Sequence, residues 1–146
     1  MDSFENIRKR YFEITEKWTC QRSRVIINNR PNQELREHLE IDEDGSFSLV
    51  YFERGNIMNR RTTRSIDELL YWMAAEEARW YATDYEFQNQ QPKLDTRRIM
   101  FVASEDYLGL VSAEWAVRLK QEHEDETEEY PFEDFPSLHC RAGNVL

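Results

Sequence analysis

The chain has 146 residues, of which 33% are charged, and its net charge is -10. That length suits one domain with a core that needs no disulfide, and eight Phe, seven Tyr and four Trp against four Gly and four Pro exclude a disordered or low-complexity chain. The acid surplus argues against a phosphate backbone or an anionic membrane as partner, because both require the opposite sign.

Ser3 is placed to cap a first helix, in which Phe4, Ile7, Tyr11, Ile14 and Trp18 recur every three or four residues and form one apolar face. Val25-Ile26-Ile27 reads as a short strand, and 28–32 as a turn. Leu39 and Ile41 alternate with Glu40 and Asp42. Asp42-Glu43-Asp44-Gly45-Ser46 follows as a turn, and Phe47, Leu49 and Tyr51 then alternate on one face of a second strand. The pattern predicts a hairpin. Gly55-Asn56 marks a second turn, and 57–64 is a basic strand expected at an edge or facing solvent.

Ser65 and Glu68 form a capping box. The apolar spacing after it predicts a helix over about 66–87, ended by the polar run 88–92. Trp72 and Trp80 fall partly outside its narrow stripe. They either widen the core, the expected role, or offer an anchor to a partner. Asp95 suits the cap or first turn of the next helix. Ser104-Glu105-Asp106 reads either as a break or as the solvent face of one longer helix. Leu108, Val111, Trp115 and Leu119 continue the helical spacing. Beyond Lys120 the chain turns acidic and then aromatic and proline-bearing, so 121–146 is either a packed irregular strap or a mobile arm.

These elements predict an α+β fold: an N-terminal helix, an antiparallel β-meander of three to four strands, then two to three helices packed on one face of the sheet. We read 1–146 as a single domain. Residues 1–64 supply the helix and sheet, 65–120 the helical part, and 121–146 the acidic C-terminal arm.

Charge is uneven along the chain. From 1 to 64, 12 Lys/Arg face 11 Asp/Glu; from 65 to 120, 6 face 10; from 121 to 146, 1 faces 8. This acidity either keeps the protein soluble or steers a basic protein partner into encounter.

Little in the sequence suggests chemistry. His38, His123 and His139 lack metal-ligand spacing and are expected as surface or capping residues. Cys20 and Cys140 are expected to be free thiols in a reducing cytoplasm. The charged start Met1-Asp2-Ser3-Phe4-Glu5 is not expected to open a signal peptide, and no apolar run is long enough to span a membrane. No cofactor, metal or catalytic group is expected. Glu76, Glu77, Asp84 and Glu86 offer carboxylates for acid–base work, but among 29 acids such pairs arise by chance.

Arg97 and Arg98 are expected to pair with Asp84 and Glu86, because the two charge sets bracket a short connection. The other reading is a fork offered to an acidic partner.

The run Ser65-Ile66-Asp67-Glu68-Leu69-Leu70-Tyr71-Trp72, then Ala82-Thr83-Asp84-Tyr85-Glu86, then Asp95-Thr96-Arg97-Arg98-Ile99-Met100-Phe101, and on to Trp115 resembles the polymorphic-toxin immunity proteins called immunity protein 63. The resemblance covers about residues 65 to 116. It implies a cytoplasmic antitoxin that binds a cognate secreted toxin and blocks it by protein–protein inhibition. Ser65, Glu68, Trp72, Asp84, Tyr85, Glu86, Asp95, Arg97, Arg98, Phe101 and Trp115 would then serve the motif and the fold. Contact with the toxin, a protein and possibly a basic one, is expected from Glu122, Glu124, Asp125, Glu128 and Glu129, with Tyr130 and Phe132 as aromatic anchors. The alternatives are an acidic adaptor without a toxin, or a small carboxylate-dependent hydrolase.

Overall fold

The computed structural model describes residues 3–18 and 37–134. The strand expected at Val25-Ile26-Ile27, the turn after it, Cys20, Cys140 and His139 lie outside the described residues. Among the described residues, four helices and three strands follow the predicted order: α1 (Phe4–Ile14), β1 (Glu37–Ile41), β2 (Phe47–Glu53), β3 (Asn56–Thr63), α2 (Ile66–Gln88), α3 (Thr96–Gly109) and α4 (Ala113–Glu129). The fold is α+β. The chain divides into two compact units, Met1–Glu77 and Ala78–Leu146, with the boundary inside α2.

In the first unit, Ser3 caps α1 by accepting the Asn6 N–H, and Ile7 and Tyr11 turn the helix's apolar face inward. The sheet is antiparallel in the order β1-β2-β3. Gly45 sits at φ +87°, which a side chain resists, and Asp44 accepts from both the N–H and the hydroxyl of Ser46. The second turn falls one residue earlier than expected. Glu53 pairs with Asn56, which leaves Arg54 and Gly55 as a two-residue loop with φ of 51° and 81°. Two positive φ angles match the right-handed twist of the flanking strands. Met58 is the extra residue of a bulge in β3.

Register puts Leu39, Leu49 and Arg61 on one face of the sheet. Arg61 lies over the Trp72 ring at 5.0 Å, so the start of α2 covers that face. Leu69, Leu70, Met73 and Ala74 of α2 are buried, as are Leu39 and Leu49 of the sheet. The Tyr11 hydroxyl donates to the buried Glu77 carboxylate at 2.6 Å and ties α1 to α2. Burial pushes the Glu77 carboxyl up, and the Tyr11 hydrogen bond opposes it.

In the second unit, Asn89 closes α2 by donating its side-chain amide to the Tyr85 carbonyl. Asp95 caps α3 and Ser112 caps α4. Ser104 does not break α3; its hydroxyl turns back onto the Phe101 carbonyl and the helix continues. The break falls at 110–112, and α3 and α4 form an antiparallel pair in which Arg97, at the start of one, meets Glu126, at the end of the other.

Candidate functional site

Two features of the second unit stand out: a clasp at the start of α3, and the acidic end of α4. Asp95 is the centre of the clasp. One carboxylate oxygen accepts the Arg97 N–H at 3.0 Å as a helix cap, while the other accepts the Arg97 Nη2 at 3.0 Å and the Glu133 N–H at 2.9 Å. Its own N–H donates to Asp134 Oδ1 at 2.8 Å. Arg97 also donates to the carbonyls of Tyr130 and Pro131. Arg98 Nε donates to Asp134 at 2.9 Å, and its guanidinium lies 4.2 Å from the Phe132 ring centre. The clasp therefore straps residues 130–134 onto the start of α3.

The electrostatics follow from this geometry. The Arg97 side chain holds the Asp95 carboxyl at about 2, helped by the two backbone donors and opposed by burial. Arg98 lowers Asp134 in the same way, and each arginine is held above its ordinary value by its acid.

The arginines are thus tied down inside the chain, but the acids that hold them are not the expected ones. Sequence proximity pointed to Asp84 and Glu86. The structure places against them Asp95, two residues before Arg97, together with Glu126 and Asp134, which the chain brings back to the start of α3 through and after α4. Asp84 is exposed and Glu86 is buried.

The other motif residues serve local structure. Ser65 accepts the Glu68 N–H at 3.2 Å. Trp72 is half-buried beneath Arg61. Tyr85 is exposed beside Tyr81, which stacks on Tyr107 at 4.0 Å. Trp115 follows the Ser112 cap, whose hydroxyl accepts its N–H. Phe101 packs between His123, stacked at 3.9 Å, and Phe132 at 6.0 Å.

The histidine expectation needs correction. His38 and His123 are both buried, and each lies against a carboxylate: His38 on Glu40 at 2.8 Å, His123 on Glu105 at 2.6 Å. A buried imidazole needs a polar partner, and each finds an acid.

Of the residues expected at the partner contact, Glu124, Asp125, Glu128 and Glu129 are exposed on α4 and Tyr130 is 61% exposed. Glu122 is engaged by Arg118 at 3.1 Å and Arg79 at 3.8 Å. Phe132 is half-buried under the two arginines, so it holds the strap in place.

The end of α4 runs against ordinary helix electrostatics. Its last turn carries no basic residue, so the acids sit at the negative end of the helix dipole. Glu124 and Glu128, like Asp125 and Glu129, repeat the same charge four residues apart, a spacing at which like charges repel.

A family model described as immunity protein 63 matches residues 43–125, more than half of the chain. The chain belongs to the immunity protein 63 family. The matched region runs from the first turn of the sheet to Asp125. It holds the clasp's Asp95, Arg97 and Arg98 and stops short of the strap they grip. Searches of curated proteins and of solved structures found no match. Among the described residues no helix is long and apolar enough to cross a membrane. Membership of an immunity protein family implies, in general terms, a protein toxin as partner.

Sequence reasoning missed Asp134, Glu126 and the His123–Glu105 pair. No local signal marks them. Asp134 lies 36 positions from Arg98 and Glu105 lies 18 from His123, beyond the reach of capping and helical spacing.

Proposed function

We propose that this chain is an immunity protein that binds a cognate toxin domain in the cytoplasm and neutralises it by covering it, with no chemistry of its own. Glu124, Asp125, Glu128 and Glu129 at the end of α4, with Tyr130 beside them, form the contact surface. The toxin surface they meet is basic.

One observation carries the reading. The end of α4 gathers like charges four residues apart at the wrong pole of the helix, at a cost to the isolated helix. A cationic surface removes that repulsion, so binding gains what folding gives up. The strap also has a place in this scheme. The clasp fixes the backbone of 130–134, which presents Tyr130 without the entropy cost of ordering it on binding.

The test is co-expression with the C-terminal domain of the large neighbouring reading frame. The expected result is a complex that co-purifies and cells that survive the toxin. No complex at micromolar concentration and no rescue rejects the proposal.

A further inference from the structure

A groove of about 720 Å³ lies between α3 and α4. Phe101, Val102 and Phe132 give it an apolar lining, and Glu105, Glu124 and Glu128 stand along it. Its cations are Lys120 and Arg98, and Asp134 already holds Arg98. Val102 is 57% exposed in the middle of α3, where its neighbours Ala103 and Ser104 are buried. A volume of this size accepts several side chains.

The lining and the acids together select the occupant. Apolar surface calls for aliphatic or aromatic contact, while carboxylates beside it lose hydration when covered unless a cation enters with the cover. A lysine or arginine meets both needs, with its stem on the apolar lining and its head at the acids. A second copy of this chain, at -10, is repelled.

We propose that the α3–α4 groove receives a lysine- or arginine-bearing amphipathic segment of the toxin domain. Its apolar side chains rest on Phe101, Val102 and Phe132, and its cations meet Glu124 and Glu128. This rests on the proposed function and adds the place and chemistry of the anchor.

A capped amphipathic peptide of lysine and leucine serves as probe, titrated into the full chain and followed by backbone amide NMR. Shifts centred on Phe101, Val102, His123 and Phe132 are expected. Val102→Arg should weaken binding at least about tenfold. Leu110→Arg, exposed just past the end of α3 and outside this groove, should leave it unchanged. Both sites are exposed, so the fold should tolerate both changes, and Glu124→Lys with Glu128→Lys provides a second, purely electrostatic disruption. Shifts confined to the outer carboxylates of α4, equal loss from Leu110→Arg, or equal binding of a glutamate–leucine peptide each overturn the proposal. Rescue assays keep the two readings apart. If wild type rescues and Val102→Arg does too, the groove is wrong and the inhibitor reading stands. If wild type fails to rescue, the inhibitor reading falls and the anchor with it.

Discussion

Asp95 and Asp134 stand 39 positions apart, yet the Asp95 N–H donates to Asp134 Oδ1 at 2.8 Å. Each of the two carboxylates at this junction has its own cation: Arg97 holds Asp95, and Arg98 holds Asp134. The arrangement is reciprocal, since the Glu133 N–H in turn donates to Asp95. The Asp-x-Arg-Arg run is therefore a fastening for the strap that follows α4.

The first prediction concerns that fastening. Asp95→Ala removes a helix cap, leaves the Glu133 N–H without its acceptor and takes from Arg97 the carboxylate it grips at 3.0 Å. A lost cap costs about 1 kcal/mol and hydrogen bonds to a charged group about 1.5–3 kcal/mol, so a loss of roughly 2–4 kcal/mol is expected in urea unfolding. Asp95→Asn keeps the cap and should lose less. Hydrogen exchange at 130–134 should quicken in both variants, and unchanged exchange there would refute the strap.

Acid should open the same fastening. The Asp95 carboxyl has an ordinary value of 3.8 and is held at about 2 in the fold. The unfolded chain therefore takes up the proton first. The stability that Asp95 contributes, about 2 kcal/mol, is complete above pH 3.8 and is lost as pH falls toward 2. Acid unfolding followed by tryptophan fluorescence should show this loss in wild type and not in Asp95→Asn.

Glu77 should behave in the opposite sense. Its carboxyl is raised above 4.5 by burial, so the folded state keeps the proton longer than the unfolded chain. Its contribution is present below pH 4.5 and fades as pH rises through the folded value. Glu77→Gln should be more stable than wild type at pH 7 and equal to it in acid. Tyr11→Phe removes the hydroxyl that donates to Glu77 and should cost about 1–3 kcal/mol at pH 7. Calorimetry across pH 3–8 checks both signs.

Neutralising α4 should separate stability from binding. Changing Glu124, Asp125, Glu128 and Glu129 to their amides relieves like-charge pairs worth about 0.2–0.5 kcal/mol each, so the melting temperature should rise. Association with the toxin domain should slow and lose its salt dependence. An unchanged on-rate in stopped-flow mixing counts against electrostatic docking.

The legible part of this fold is the part written in short-range rules. Ser3, Ser65 and Asp95 mark helix starts because a cap acts within three residues. The alternation of Phe47, Leu49 and Tyr51 marks β2 because strand faces repeat every two. The Arg54–Gly55 turn slipped by one residue because an arginine at positive φ gives no sequence signal.

The sequence by itself determined the order and type of the described elements and the caps that start several of them, the sign of the charge on the last helix, and the presence of two arginines that need acids. Only the tertiary structure decided which acids those are, that Phe132 lies beneath them, and that His38 and His123 are buried. The reason is one of range. Capping and periodicity reach about four residues and cover Asp95 with Arg97, whereas Glu126, Asp134 and the carbonyls of 130–131 are brought to Arg97 and Arg98 by the antiparallel return of α4 along α3.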